Sequence, residues 1–255
     1  MINFMKSMGN TKLVCMYRVK NEEKWIKKSI ESIYDLCDEI VVLDDDSSDN
    51  TVEICSSFDK VKEIKTQRDL PLDEVRDRNL LLQMALKRKP DVILSVDGDE
   101  IFMPNSAEIL HEELNVLYPE SNVFEFQFLT LWDSSAQIRC DGIFGHYWQK
   151  RLFRTKNQPL DLRFEENSTP GNLHCGSVPP NTIEFDNPIR STVKIFHLAS
   201  LDSEIRQKKY DYYAETDPES ALTDGYKHMI SGEGKFSGPK GIELQQLPNK
   251  FALMI

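Results

Sequence analysis

Residues 92–100 read VILSVDGDE, an apolar run that stops in two carboxylates one residue apart, Asp97 and Asp99. An unpaired buried carboxylate is expensive, so a buried strand has no use for two acidic side chains at its end. At positions i and i+2 of a strand, the two point the same way. A divalent cation resolves the cost, because hard cations take carboxylate oxygens and bridge them to phosphates. The competing reading is a capped turn, since Asp-Gly-Asp is also common turn chemistry. A second acidic cluster, Asp44 to Asp46, ends the apolar run EIVVL at 39–43. Ser47, Ser48, Asp49, Asn50 and Thr51 follow, which is turn and N-cap chemistry. Both uses fit together there: one carboxylate caps the next helix while another stays available to a ligand.

The elements that must position these carboxylates alternate. Residues 13–19 form a first apolar run, and Trp25, Ile26, Ile30, Ile33 and Tyr34 recur at helical spacing over 22–36. Strand 39–43, a short helix through Phe58, a brief strand at 61–65, a helix over 73–88 stopped by Pro90, and strand 91–97 complete the first half. Asn105 or Ser106 caps a further helix through Leu117. Such alternation predicts a parallel, doubly wound sheet. Both acidic clusters then fall at strand C-termini, the edge where open α/β sheets bind ligands.

The second half reads differently. Residues 122–132 and 146–154 are strand-like, 155–190 form a long Pro-, Asn- and Gly-rich loop, 193–198 a last short strand, and 202–215 a helix. From Asp217 to Lys250 the composition is Gly-, Pro- and charge-rich and predicts partial disorder.

The chain has 255 residues, with 40% hydrophobic and 29% charged residues. That length buries a core without disulfides. The net charge of −11 excludes the general basic field of a non-specific nucleic-acid binder. Any anionic ligand must then be met by local positive charge: a metal, or placed Arg and Lys. The five cysteines show no CxxC pair and are an odd number, as reduced thiols would be. The opening residues carry no apolar signal segment, and no apolar run is as long as a membrane span. The expectation is a cytoplasmic chain.

Several segments together resemble one family. YRVKNEEKWIKKSIESI, DEIVVLDDDSSDNT, VRDRNLLLQMA and DVILSVDGDE follow the order and spacing of the family 2 glycosyltransferases of the GT-A fold. RLFR, LHCGSVP and KIFH followed by a Lys/Arg-rich helix are similar to that family's acceptor half. The resemblance covers roughly residues 11–215. It implies an α/β GT-A fold: a Rossmann-like, mostly parallel central sheet flanked by helices, with a smaller mixed acceptor-side region. The implied division is a glycosyltransferase domain at 1–216, comprising a nucleotide-sugar half (11–104) and an acceptor half (105–216), followed by an extension at 217–255.

The resemblance also implies roles. Arg18 and Lys20 stand where the first strand meets the nucleotide. Asp45 stands where a carboxylate reads the base, typically a uracil imide. Arg78 and Asn79 stand near ribose and diphosphate. Asp97 is similar to the residue near ribose and metal, Asp99 to the direct metal ligand, and His197 to the histidine that completes the metal shell. The implied cofactor is Mn²⁺ or Mg²⁺, and the implied partner is a nucleotide-diphosphate sugar, most simply UDP-linked. The acceptor, whether glycan, lipid, protein or small molecule, is left open. Relatives commonly carry His-Glu where this chain has His174-Cys175, so the candidate catalytic bases are Glu166, Glu165 and His174.

Each residue also has a plainer reading. Arg76, Arg78 and Lys87 suit a solvated helix face, and His197 a satisfied core histidine. Glu166 and His174 suit a polar surface loop. Trp132, Tyr147 and Trp148 suit either a sugar-stacking wall or core packing. The implied chemistry is inverting sugar transfer, in which a carboxylate or imidazole takes the acceptor proton. Its rivals are a nucleotidyltransferase, a haloacid-dehalogenase-type phosphatase and a catalytically inactive sugar-nucleotide binder. The first usually shows a Gly-rich phosphate loop where this chain has Arg18-Val19-Lys20-Asn21. The second usually has its acidic motif near the N-terminus.

Overall fold

Four strands carry the acidic ends: β1 (Leu13–Val19), β2 (Glu39–Asp44), β3 (Val61–Thr66) and β4 (Val92–Asp97). In the computed structural model, which describes residues 11–223, 225–247 and 251, they lie parallel in the order β3-β2-β1-β4. The runs of β1, β2 and β4 are apolar on both faces because helices cover both faces, whereas the edge strand β3 is half polar. One face packs on α1 (Ile26–Ile33), which buries Ile26, Ile30 and Ile33 at one-turn spacing. The other packs on α3 (Glu74–Lys87), whose Val75, Leu81, Leu82 and Ala85 meet Val14, Met16, Val41 and Ile93. Asp73 caps α3 by accepting from the Arg76 amide at 3.1 Å. The short α2 (Thr51–Ser56) follows the serine-rich turn.

The sheet continues with β5 (Glu100–Phe102), β6 (Val123–Thr130), β8 (Trp148–Arg154) and β9 (Ile189–His197). The full order is β3-β2-β1-β4-β8-β6-β9-β5, in which β8 runs antiparallel to both β4 and β6, and β5 antiparallel to β9. The expected α/β architecture, a mostly parallel sheet with a mixed second region, is thus present. Helix α4 (Ser106–Glu112) follows β5. β9 is longer than the short strand expected at 193–198, because Ile189 and Arg190 already pair with Phe124 and Glu125.

One irregularity positions a key side chain. Phe124 pairs with Leu152, but Glu125 pairs with Lys150, so Arg151 is an extra residue on β8. Such a bulge re-aims the side chain it carries.

The tail departs from the expectation of partial disorder over the residues described. Helix α5 (Ser203–Thr216) leads into α6 (Pro218–Leu222), and β10 (Leu244–Gln246) pairs with β7 (Gln137–Arg139). A buried polar knot holds it. Arg139 donates to both Asp141 oxygens at 2.7 and 2.8 Å, and Asp141 accepts from the amides of Gly238 (3.0 Å) and Glu243 (3.1 Å). Composition hides this, because a few satisfied buried polar groups do what an apolar core would do elsewhere. Lys250 lies outside the described residues.

Candidate active site

Strands β2, β1 and β4 are neighbours, and their C-terminal ends form one edge. In the register, Arg18 lies beside Asp97 and Val19 beside Asp44. Arg18 and Asp97 continue the side-chain alternation of Met16 and Ile93, so both emerge on the α3 side of the sheet.

Asp44 is fully buried and accepts from the Ser47 amide at 3.3 Å, so it is the turn-capping carboxylate. Asp45 faces the ligand edge. It accepts from Arg18 Nη2 at 3.0 Å and Gln67 Nε2 at 3.1 Å, with Lys20 Nζ 3.7 Å away. Asp77 of α3 holds the other side of the Arg18 fork at 2.9 Å and is itself held by Arg76 at 2.7 Å. This chain of charges fixes the guanidinium of Arg18 at the strand end.

Asp97 is held by two guanidiniums. Arg78 reaches Oδ1 at 3.2 Å and Arg151 reaches Oδ2 at 2.9 Å. Burial would raise the Asp97 carboxyl, but Arg151 and Arg78 outweigh it and hold it well below the usual carboxylate range. Arg78 also donates to Ser95 Oγ at 2.8 Å, and Arg151 to Ser177 Oγ at 2.6 Å and to Glu100. The Nε atoms of both arginines are buried without a partner. Buried polar atoms left unsatisfied cost free energy.

Asp99 gathers a separate set. Its Oδ2 lies 2.7 Å from Lys209 Nζ of α5 and 3.5 Å from His197 Nε2 at the end of β9. Burial works against the Asp99 charge, but Lys209 and His197 overcome it and lower the carboxyl. Burial keeps His197 below its usual value despite Asp99. Beside them, burial and then the charge of Asp99 push the Glu22 carboxyl up to about 8. Gly98 is required here, since a Cβ would come within 2.7 Å of Glu22 Cγ.

The remaining expected residues are placed as follows. Asn79 exchanges two hydrogen bonds with the backbone of Phe164, at 3.0 and 2.9 Å, so it anchors the long loop to α3. Glu165 and Glu166 are exposed on that loop, with Glu165 paired to Arg163 at 3.3 Å. His174 is tied to the site's rim. Its amide donates to Glu74 at 2.8 Å, and its ring lies 5.8 Å from that of Tyr213, one turn beyond Lys209 on α5. Its Nε2 is 3.5 Å from the Tyr226 hydroxyl. Trp132 is buried between the guanidiniums of Arg139 and Arg206, at 4.5 and 4.3 Å, as core packing would have it. Tyr147 packs on Phe128 at 5.6 Å.

Four participants escaped residue-level notice in the sequence: Arg151, Lys209, Glu22 and Glu100. Arg151 lies within the RLFR segment and Lys209 within the Lys/Arg-rich helix, so the segments were signalled but not the side chains. A cavity of about 1140 Å³ lies elsewhere, between α1 and α4, and touches none of these residues.

For a divalent ion, Asp99 Oδ2 and His197 Nε2 converge on one place. Among the described residues, no group of three or more His, Cys, Asp or Glu is assembled as a metal cage. One carboxylate and one imidazole suit Mn²⁺ better than the harder Mg²⁺, and phosphate oxygens and water would complete the shell. The Lys209 ammonium now neutralises Asp99, and such an ion would have to displace it.

Among curated proteins, none matches the chain. Solved structures give likenesses. Staphylococcus aureus TarS superposes with a TM-score of 0.49 at 16% identity, over 86% of this chain and 42% of that one. This chain therefore spans less than half the length of TarS. TarS residues 1–349 with UDP-GlcNAc give 0.48 at 17% identity, over 86% and 70%. Glucosyl-3-phosphoglycerate synthase from Mycobacterium tuberculosis, with Mn²⁺, UDP and glucosyl-3-phosphoglycerate, gives 0.33 at 18% identity, over 48% and 45%. That protein has also been crystallised with Mg²⁺ and UDP. The bound ligands are properties of those proteins. The family model of glycosyl transferase family 2 matches residues 18–126. This segment contains Arg18, Asp45, Arg78, Asp97 and Asp99, so the stretch similar to glycosyl transferase family 2 is the one that carries the acidic edge.

Proposed function

We propose that this glycosyltransferase moves a sugar from a UDP-linked donor to an acceptor hydroxyl, with inversion at the anomeric carbon. The observation that carries the reading is the shared edge of β2, β1 and β4. It sets Asp45, Arg18 and Asp97 side by side on the α3 face, with Asp99 just beyond. Asp45 accepts the uracil N3–H after exchanging one of its present donors. Arg18 and Lys20 lie beside it for the nucleotide. Arg78 and Arg151, fixed by Asp97, offer positive charge to the diphosphate.

Asp99 and His197, with Asp97 behind them, would hold Mn²⁺ or Mg²⁺. Such an ion, when bound, neutralises the leaving diphosphate. The chain's own part is to orient the donor and to take the acceptor proton. Among the three candidate bases, placement favours His174 over Glu166 and Glu165. All three are exposed residues of the long loop, but the His174 ring lies against those of Tyr213, one turn beyond Lys209 on α5, and Tyr226, whereas Glu165 pairs with Arg163. An imidazole positioned in this way is an ordinary general base.

The five cysteines, all free, support a cytoplasmic setting. Among the described residues, no helix is long and apolar enough to cross a membrane. The functional test is donor hydrolysis or transfer measured with UDP-sugars, with and without Mn²⁺. Release of UDP from a UDP-sugar supports the reading. Pyrophosphate release from a nucleoside triphosphate and a sugar phosphate would instead make the chain a nucleotidyltransferase.

A further inference from the structure

The α3 face of the sheet does not end at Asp97. Beyond it, β8, β6 and β9 present a second surface of polar and charged side chains. Register places Lys150 and Arg190 on either side of Glu125, and Trp148 and Lys194 on either side of Gln127. Residues paired across strands share a face, so these six side chains project together. The alternate residues Phe124, Phe126 and Phe128 fill the core on the opposite face.

The surface is cationic in an acidic chain. Three cations stand against the single carboxylate of Glu125, which Arg190 already engages at 2.9 Å. Among the described residues, neither Lys150 nor Lys194 forms an ion pair. Aromatic rings hold them instead. Lys150 Nζ lies 3.5 Å over Phe185, and Lys194 Nζ 5.0 Å and Arg190 Cζ 4.9 Å over Trp148. Cation–π contacts position an ammonium without neutralising it. Burial weighs against the charge of Lys194, and the Glu113 carboxylate offsets it only in part. Partly desolvated, preplaced cations of this kind are costly to keep unless an anion meets them.

The surface is joined to the donor edge. A cavity of about 280 Å³ opens between Trp148, Lys150, Phe185 and Ser177. Ser177 Oγ accepts from Arg151, whose other nitrogen donates to Asp97. The cavity wall is therefore two hydrogen bonds from the carboxylate at the donor site.

We propose that this face, with Lys150 and Lys194 as its anion-binding groups and Trp148 as their support, is an acceptor subsite for a carbohydrate bearing phosphate, sulfate or carboxylate groups. The acceptor role rests on the glycosyl-transfer reading; the anion binding does not. Charge complementarity against a chain of net charge −11 selects the occupant. The cavity and the aromatic side chains beside it suit sugar rings.

The test is binding of labelled dextran sulfate, unsulfated dextran and polyglutamate at physiological salt, with UDP and Mn²⁺ present to occupy the donor edge. Wild type is expected to bind dextran sulfate at least about tenfold tighter than dextran. The Lys150→Gln/Lys194→Gln variant is expected to lose at least about tenfold. A Lys62→Gln/Lys65→Gln control on β3 is expected to bind as wild type does. The thermal shift by UDP, read separately, should be kept in all variants. Equal binding of dextran and dextran sulfate, or undiminished binding by the double variant, overturns the proposal. Polyglutamate binding as tight as dextran sulfate overturns its carbohydrate assignment. Loss of the UDP shift in wild type would count against the donor reading and leave the anion-binding result standing.

Discussion

The Lys209 ammonium of α5 lies 2.7 Å from Asp99 Oδ2, although the two are 110 residues apart in sequence. It takes the carboxylate oxygen that a cation held by Asp99 and His197 would need. Burial opposes the Lys209 charge, but Asp99 and then Glu22 outweigh it and raise its pKa, so Lys209 stays protonated throughout the ordinary pH range.

Replacing Lys209 should therefore expose the ion site. In Lys209→Met, Asp99 loses its ammonium partner, and Mn²⁺ should bind the free protein at least about tenfold tighter than wild type, a difference of about 1.4 kcal/mol. Mn²⁺ titration followed by electron paramagnetic resonance measures this without any turnover. Unchanged or weaker Mn²⁺ binding would remove Lys209 from the role of competing cation.

The proposed donor binding assigns base preference to Asp45. It already accepts from Arg18 and Gln67, so it is oriented at the ligand edge. Calorimetry should show uridine diphosphate bound in preference to cytidine diphosphate. Asp45→Asn should lose roughly 1.5–3 kcal/mol toward UDP, the worth of a hydrogen bond to a charged group. Equal affinity in the variant would move base reading to another residue.

The same physical logic explains which features were legible in the sequence. Strands β1, β2 and β4 announce themselves because each is an apolar run ended by a polar turn, and their acidic ends mark the edge. Arg151 was not legible as a side chain, because its direction comes from a bulge that only the pairing of Glu125 with Lys150 reveals. Lys209 was not legible because α5 buries little of one face, with Arg206 its single fully buried residue, so periodicity gives no orientation. β5, β7 and β10 are three residues each, too short for any alternation to register.

The tail's polar knot gives a pH-dependent signature. Burial pushes Asp141 up, but its bonds from Arg139, Gly238 and Glu243 prevail and hold it at about 2. A depressed carboxyl stabilises the fold above its unfolded value near 4 and loses that contribution as pH falls through about 2. The contribution is on the order of 2 kcal/mol. Asp141→Asn should be less stable than wild type in denaturant melts at pH 7, and the gap should narrow between pH 4 and pH 2. A gap that stays constant over that interval would show that the charge of Asp141 is not what anchors the tail.

The base can be found by three amide or isosteric replacements. His174→Asn should lower turnover by roughly 10²–10⁴-fold with donor affinity nearly unchanged, while Glu165→Gln and Glu166→Gln change it little. Loss of turnover in Glu166→Gln alone would instead bring the loop inward over the donor during reaction. Full activity in all three would place proton removal on another group.

The central claim is that Asp99, at the end of the β4 turn, ties a divalent ion to a uridine diphosphate. Thermal unfolding of wild type and Asp99→Ala, each with UDP, with Mn²⁺, and with both, tests it most directly. The account predicts that UDP and Mn²⁺ together stabilise wild type more than the two do separately. It also predicts that Asp99→Ala remains folded and loses that extra stabilisation. An equal joint shift in a folded Asp99→Ala protein would contradict it.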